Sequence, residues 1–292
     1  LLQSAFCVKS STVFRKTSAF QNFGVPDMSD MELTFEAPLA RIRLNSPARR
    51  NAVSRAMWRA LPGICAAIEA RADALVVVVE GAGGHFCAGA DISEFDEVYR
   101  DLAATRDYVD AIQDGLGALA ALDRPTIAIL RGVAVGGGLA LAISCDLRFC
   151  ADDAHLAITP AKLGLVYGHL ETRRLVELVG PARAKDLLFS GRRVEPAEAL
   201  AIGLVDRLAP PEALEGSVGA YAANLARLSQ RSIRGAKRAV DAIQRGMSEE
   251  SVNFRAAVED AALGEDFAEG RAAFAAKRAP TFAFRGPTSA VD

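Results

Sequence analysis

The polar and apolar positions of this chain follow two periods. At 32–36 and 40–44 they alternate in steps of two on either side of Ala37-Pro38, which predicts a β-hairpin. Residues 74–81 and 126–130 are short unbroken apolar runs rich in β-branched side chains, the pattern of strands buried on both faces. Residues 146–150 and 155–158 predict two more short strands with Asp152-Asp153 turning between them, and 204–208 predicts another ahead of Pro210-Pro211. Helical spacing fills the intervals at 55–71, 93–98, 101–122, 139–144, 171–179, 182–189 and 195–202. Ser54 is placed to cap the first of these, and Pro62-Gly63 interrupts it, so a bend or two short helices are expected. In 101–122 the apolar stripe is Ile112, Leu116, Leu119 and Leu122. Beyond 211 helical spacing alone remains, over 212–228, 232–245, 249–263 and 267–278. Strands alternating with helices, followed by helices alone, predict an α/β fold with a helical C-terminal region.

Two glycine-rich turns interrupt this pattern where chemistry is possible. The strand at 126–130 leads through Arg131-Gly132-Val133-Ala134-Val135 into Gly136-Gly137-Gly138 and then a helix. Glycine there permits φ > 0 and close approach of another atom to the backbone. The first amides of a helix are unpaired and suit an oxygen that becomes an anion during reaction. A tight strand-to-helix turn with close packing also accounts for the glycines, and on this stretch alone it is the favoured reading, because Gly-rich turns are common. The strand at 74–81 leads in the same way into Gly83-Gly84-His85-Phe86-Cys87-Ala88-Gly89-Ala90-Asp91-Ile92. One amide from each turn would make a two-donor oxyanion hole for an enolate or a tetrahedral intermediate.

Composition narrows the classes. The 292 residues can bury one large core with an appendage. A net charge of -2 gives no support to nucleic acid or a membrane surface as partner. No apolar run reaches membrane-spanning length. The five cysteines lack metal-ligand spacing and read as reduced thiols of a cytoplasmic protein, and three histidines weigh against a His-rich metal site. Residues 1–26 carry Lys9, Arg15 and Lys16 but no acid, a composition weakly like an organellar transit peptide. Met28-Ser29-Asp30 resembles a natural start, so 1–27 reads as an extension.

Three segments carry a resemblance in their order: Phe86-Cys87-Ala88-Gly89-Ala90-Asp91-Ile92, Val135-Gly136-Gly137-Gly138, and Cys145-Asp146-Leu147-Arg148. Together they resemble the enoyl-CoA hydratase/isomerase (crotonase) superfamily, over about 32–282. The resemblance implies a crotonase spiral of repeated ββα units over 28–210, a C-terminal helical trimerisation region over 211–282, and a tail over 283–292. It implies an acyl-CoA substrate, a homotrimer or hexamer, and no cofactor beyond the CoA thioester itself. The N–H groups of Ala90 and Gly137 would polarise the thioester carbonyl. CoA contacts carry over to Arg50 and Ala52 in the loop at 45–54, and to Ala88, Asp91 and Ile92. Phe274 and Lys277 of the last helix would reach the CoA of a neighbouring subunit. The bland readings are a solvated basic loop and a basic helix end that complements the dipole. The region 101–122 would border the acyl pocket and tune chain length.

The sequence departs from the family where a typical hydratase holds two glutamates that activate water. Those positions are Ala140 and Ala161 here, and alanine is neither acid nor base. Thr159, Tyr167, His169 and Glu171 are the polar groups left nearby. Thr159 and Tyr167 fall on positions of a methylmalonyl-CoA decarboxylase branch, in which loss of CO₂ makes the enolate without a base. His169 or Glu171 could be a relocated acid or base. Against this, Glu171 fits an exposed helix N-terminus, His169 a surface loop, and Tyr167 a packing position. The expectation is an acyl-CoA enzyme that is not an efficient hydratase of the usual kind. Decarboxylation, isomerisation with an unusual base, thioester hydrolysis and non-catalytic acyl-CoA binding are the alternatives.

Overall fold

The predicted hairpin opens the described part of the chain, residues 30–286 of a computed structural model. In it β1 (Met31–Glu36) pairs antiparallel with β2 (Leu39–Leu44). Ala40, Ile42 and Leu44 point into the core, while Arg41 and Arg43 point the other way and share the buried carboxylate of Glu80. Helix α1 (Arg55–Glu69) is capped by Ser54, whose Oγ accepts the Met57 N–H at 3.2 Å. It is one helix, and Pro62 does not divide it. Pro62 withholds the N–H that the Trp58 carbonyl would otherwise receive. At that point α3 (Leu102–Ala120) presents Gly115, where a Cβ would stand 2.8 Å from the Trp58 oxygen and 3.2 Å from Leu61 Cδ1. Close packing of the two helices holds α1 together across the proline.

Between these helices lie β3 (Val76–Gly81) and the short α2 (Phe95–Val98). β3 pairs in parallel with β2 on one side and with β4 (Thr126–Leu130) on the other. The Val76–Val79 run and all of β4 are buried, as unbroken apolar strands of a covered parallel sheet should be. A strand that periodicity missed, β5 (Val133–Val135), separates β4 from the glycines. Helix α4 (Gly137–Ile143) then starts inside the glycine run rather than at Leu139. A Cβ on Gly138 would meet the Cys87 carbonyl at 2.5 Å, so this helix seats directly on the other glycine turn.

The remainder alternates between two sheets. β6 (Leu147–Ala151) pairs with β4, and β7 (His155–Ala157) pairs with β5. Helices α5 (Pro160–Leu163), α6 (His169–Val179) and α7 (Pro181–Ser190) follow. β8 (Arg193–Val194) pairs antiparallel with β7, and α8 (Pro196–Ala201) leads to β9 (Arg207–Ala209). β9 lies three residues later than its predicted start, because Leu204 and Val205 are buried in the preceding turn. The long sheet has the order β1-β2-β3-β4-β6-β9 and the short one β5-β7-β8. The chain thus crosses repeatedly between them, the spiral that the resemblance implies.

Four helices close the described chain: α9 (Pro211–Arg227), α10 (Gln230–Gln244), α11 (Val252–Leu263) and α12 (Glu265–Ala275). α9 covers the sheet, with Tyr221 tilted against Phe149 at 5.4 Å. α10 is tied to the core by Lys237, whose Nζ donates to the Arg124 carbonyl at 2.9 Å and the Asp146 carboxylate at 2.8 Å. α11 buries none of its residues. Residues 280–286 form no element yet run back along the helices, with Gly286 O accepting from Arg234 Nη1 at 2.7 Å. The expected extension at 1–27 lies outside the described residues, as does the end of the tail.

Candidate active site

Each glycine turn presents one amide to a common cavity. Gly89 (φ 110) and Gly136 (φ 53) both have the backbone that favours glycine, and each immediately precedes the residue of interest. Gly89 O accepts from Val53 N at 2.8 Å and Asp91 N donates to Val53 O at 3.0 Å, so the bridge pairs both neighbours of Ala90 and leaves its own N–H aside. Gly137 is the first residue of α4, where a helical amide has no carbonyl behind it. A Cβ on Gly137 would stand 3.3 Å from Ala90 N, and one on Gly89 3.6 Å from Gly137 N. The two amides are therefore neighbours, and neither has an acceptor among the described residues. Such a pair can hold a carbonyl oxygen and stabilise negative charge developing on it.

The cavity in front of them has a volume of about 250 Å³. Trp58 of α1 and Tyr108, Val109, Ile112 and Gln113 of α3 form one wall, and Phe95 and Tyr99 continue it. The Phe95, Tyr99 and Tyr108 rings meet edge to face, at 5.2 and 5.6 Å. Ala140 lines the floor, and Thr159, Tyr167 and Glu171 line the far side. The region expected to border an acyl pocket does supply this wall.

Glu171 departs from the expected surface position. It stands in the first turn of α6 but is 5 % exposed and lines the cavity. Its Oε2 accepts from Gln113 Nε2 at 2.9 Å. Gly168 makes this possible: a Cβ there would stand 2.4 Å from Glu171 Oε2. Among the described residues lining the cavity, Glu171 supplies the one carboxylate. Tyr167 donates its hydroxyl to Gly136 O at 3.2 Å, and so supports the turn that carries the Gly137 amide. Burial first, and then the Glu171 charge, raise its phenol well above the ordinary value. It is a neutral donor, not a base.

Other expected residues are distributed differently. His169 is exposed at the first position of α6 and lies outside the cavity lining. Ala161 is also exposed and outside the lining. Ala88 and Ile92 do line the cavity, with Ile92 exposed at its mouth beside Val166. Asp91 is buried for a structural reason: its carboxylate caps a turn by accepting from Ser93 N and Oγ, and pairs with Arg49 at 3.1 Å. Arg50 is exposed in the left-handed region, and its carbonyl accepts from Ala88 N at 2.9 Å. Ala52 is buried beside it. Phe274 and Lys277 are exposed and do not line this cavity, and Lys277 lies past the end of α12.

Periodicity passed over three residues that matter here. Asn51, in left-handed backbone (φ 58), accepts from Ser46 N and donates to the Ala82 and His85 carbonyls, locking the loop at 45–54 to the first glycine turn. Gln113 was legible as a polar residue beside the apolar stripe of α3. Trp58 gave no signal beyond that of a core residue.

The sequence profile of the enoyl-CoA hydratase/isomerase family matches residues 34–285. The chain belongs to this family. An enoyl-CoA hydratase/isomerase family protein from Hyphomonas neptunium superposes with a TM-score of 0.85 at 39 % identity, covering 87 % of this chain and 98 % of its own. An enoyl-CoA hydratase from Bacillus anthracis superposes at 0.79 with 32 % identity, covering 87 % and 98 %. The mitochondrial enoyl-CoA hydratase domain-containing protein 2 of Bos taurus is 35 % identical over 254 residues, 84 % of each chain. As an enoyl-CoA hydratase/isomerase family member, the chain is an acyl-CoA-processing enzyme of the crotonase fold.

Proposed function

We propose that this protein shifts the double bond of an enoyl-CoA thioester, with the Ala90 and Gly137 amides holding the enolate and Glu171 moving the proton. The observation that carries this reading is the buried Glu171 carboxylate in a cavity where the two positions that the family resemblance assigns to acid and base, 140 and 161, are both alanine. Isomerisation needs one group that can take and return a proton. Glu171 removes a proton from carbon 2 of a 3-enoyl thioester, and the electron pair delocalises onto the thioester oxygen between the two amides. Glu171 then delivers the proton to carbon 4, leaving the 2-enoyl thioester and a regenerated carboxylate. Gln113 orients the carboxylate throughout. Decarboxylation is less suited to this cavity, because a malonyl-type carboxylate would face Glu171 with no Lys or Arg among the lining residues.

The test is a product panel read by mass spectrometry with 2-enoyl, 3-enoyl, methylmalonyl and saturated acyl-CoAs. The expected result is conversion of the 3-enoyl species to its 2-enoyl isomer, equal in mass and resolved from it by chromatography ahead of the mass spectrometer, with the carbon-2 proton carried over to carbon 4. Gain of water on the 2-enoyl species as the main reaction, loss of CO₂, or no turnover at all would overturn it.

We further propose that copies of this chain assemble as a trimer or a dimer of trimers through α10–α12. Ile243, Val252, Leu263 and Phe274 are 67, 85, 90 and 88 % exposed on these helices, large apolar side chains that a partner copy would cover. Light scattering should give three or six times the 30.9 kDa chain mass, and a monomer would sink the idea.

A further inference from the structure

Each of the two unpaired amides belongs to a planar peptide whose carbonyl lies behind it. Ala90 N–H shares its peptide with Gly89 O, and Gly137 N–H shares its peptide with Gly136 O. Both peptides are trans. Oxygen and hydrogen therefore point in opposite directions from one rigid plane, and whatever fixes the carbonyl aims the amide.

The two carbonyls are held in the same way. Gly89 O accepts from Val53 N at 2.8 Å and from the Cys87 thiol at 3.6 Å. Gly136 O accepts from Ala140 N at 3.0 Å and from the Tyr167 hydroxyl at 3.2 Å. One backbone donor and one side-chain donor thus stand behind each amide. A thiol is a weak donor, and its contact is long because sulfur is large. It grips the same turn a second time, however, by accepting from Gly89 N at 3.3 Å. It also seats the other turn, since a Cβ on Gly138 would stand 2.8 Å from Cys87 Sγ. Burial pushes the Cys87 thiol up to about 12 and the Tyr167 phenol well above its ordinary value, so both keep the proton they donate at neutral pH. Cys87 is 0 % exposed and does not line the cavity, so it reaches a ligand only through the peptide.

We propose that Cys87 and Tyr167 are paired positioning residues of the oxyanion hole, each donating to the carbonyl of one peptide so that the amide on its far side is aimed at the thioester oxygen and polarised toward it. A donor at the oxygen draws electron density through the peptide and strengthens the N–H, by about 10–30 % per bond. This rests on the Ala90 and Gly137 amides holding the thioester oxygen.

Difference infrared spectroscopy of the intact protein with hexanoyl-CoA, ¹³C-labelled at the thioester carbonyl, tests this without any turnover. In the unaltered protein the carbonyl band should lie at lower wavenumber than in free hexanoyl-CoA. Cys87→Ala and Tyr167→Phe should each lose part of that displacement. The double variant should lose more than either, because the two side chains act on separate peptides. Cys87→Ser keeps a proton donor and should retain more of the displacement than Cys87→Ala. A purely structural role would lower the thermal midpoint and leave the band of the bound thioester in place. A band unmoved in either single variant overturns the role of that residue, and unmoved in both it overturns the proposal. A serine variant no better than alanine overturns the donor role of Cys87. No binding of hexanoyl-CoA to the unaltered protein, or binding without displacement of the band, overturns the two-amide reading itself, which separates the two failures.

Discussion

At the scale of single residues, the site depends on one carboxylate and on the glycine that gives it room. Glu171→Gln keeps the shape and the contact with Gln113 but removes the base. Steady-state kinetics should show kcat down by roughly 10²–10⁴-fold, the usual worth of general acid–base catalysis. Gly168→Ala leaves the carboxylate in the chain but puts a methyl group 2.4 Å from its present oxygen, so the side chain must move. A loss of kcat approaching that of Glu171→Gln is expected, with the thermal midpoint little changed. Full activity in Gly168→Ala would mean that the present position of the carboxylate is not the working one. Residue identity alone could not place Glu171. Its spacing from Gly168 suits an exposed first turn, and the choice between water and cavity was made by α3 bringing Gln113 and its apolar neighbours alongside.

At the scale of elements, the contact of α1 with α3 decides the shape of the cavity wall. Gly115 permits it, and a methyl group there would stand 2.8 Å from the Trp58 carbonyl. Gly115→Ala should destabilise by about 1–3 kcal/mol through overpacking. It should also weaken activity, since α3 carries Tyr108, Ile112 and Gln113 to the cavity. Gly117, two residues on in the same helix, has nothing within 4 Å of its Cβ position. Gly117→Ala should stabilise by about 0.5–1 kcal/mol through helix propensity. Thermal melts of the two variants check both signs, and equal shifts would show that helix packing is not what distinguishes them. The two short strands β5 and β8 were not legible, because Val133–Val135 runs straight into the glycines and Arg193–Val194 is only two residues long. They exist through pairing with β7, which is a tertiary event.

At the scale of the whole molecule, burial sets the behaviour of the thiols and hence the response to alkaline pH. Cys65, Cys87, Cys145 and Cys150 are all buried and free, and burial pushes each thiol up to about 12. In the unfolded chain they ionise near an ordinary cysteine value of about 8.5. A group whose folded pKa is raised contributes its stability below the unfolded value and loses it as pH rises toward the folded one. The urea midpoint should therefore fall between about pH 8.5 and 12, and replacing these cysteines by alanine should flatten that part of the profile. The reduced thiols expected from composition fit this arrangement. Cys7 lies outside the described residues.

What the sequence by itself determined is what short-range patterns encode. The hairpin, the buried parallel strands, most helices, the two glycine turns and the family all followed from period and from motifs at fixed spacing. It also determined that positions 140 and 161, both alanine, supply no carboxylate whatever the fold. Tertiary structure alone decided what those patterns leave free. It brought the Ala90 and Gly137 amides together from turns 47 residues apart in sequence. It turned Glu171 inward and His169 outward, although both stand in the first turn of α6. It kept α1 whole across Pro62. The physical reason is the same in each case. Direction, burial and satisfaction of a polar group depend on which distant element packs against it, and that depends on the whole chain.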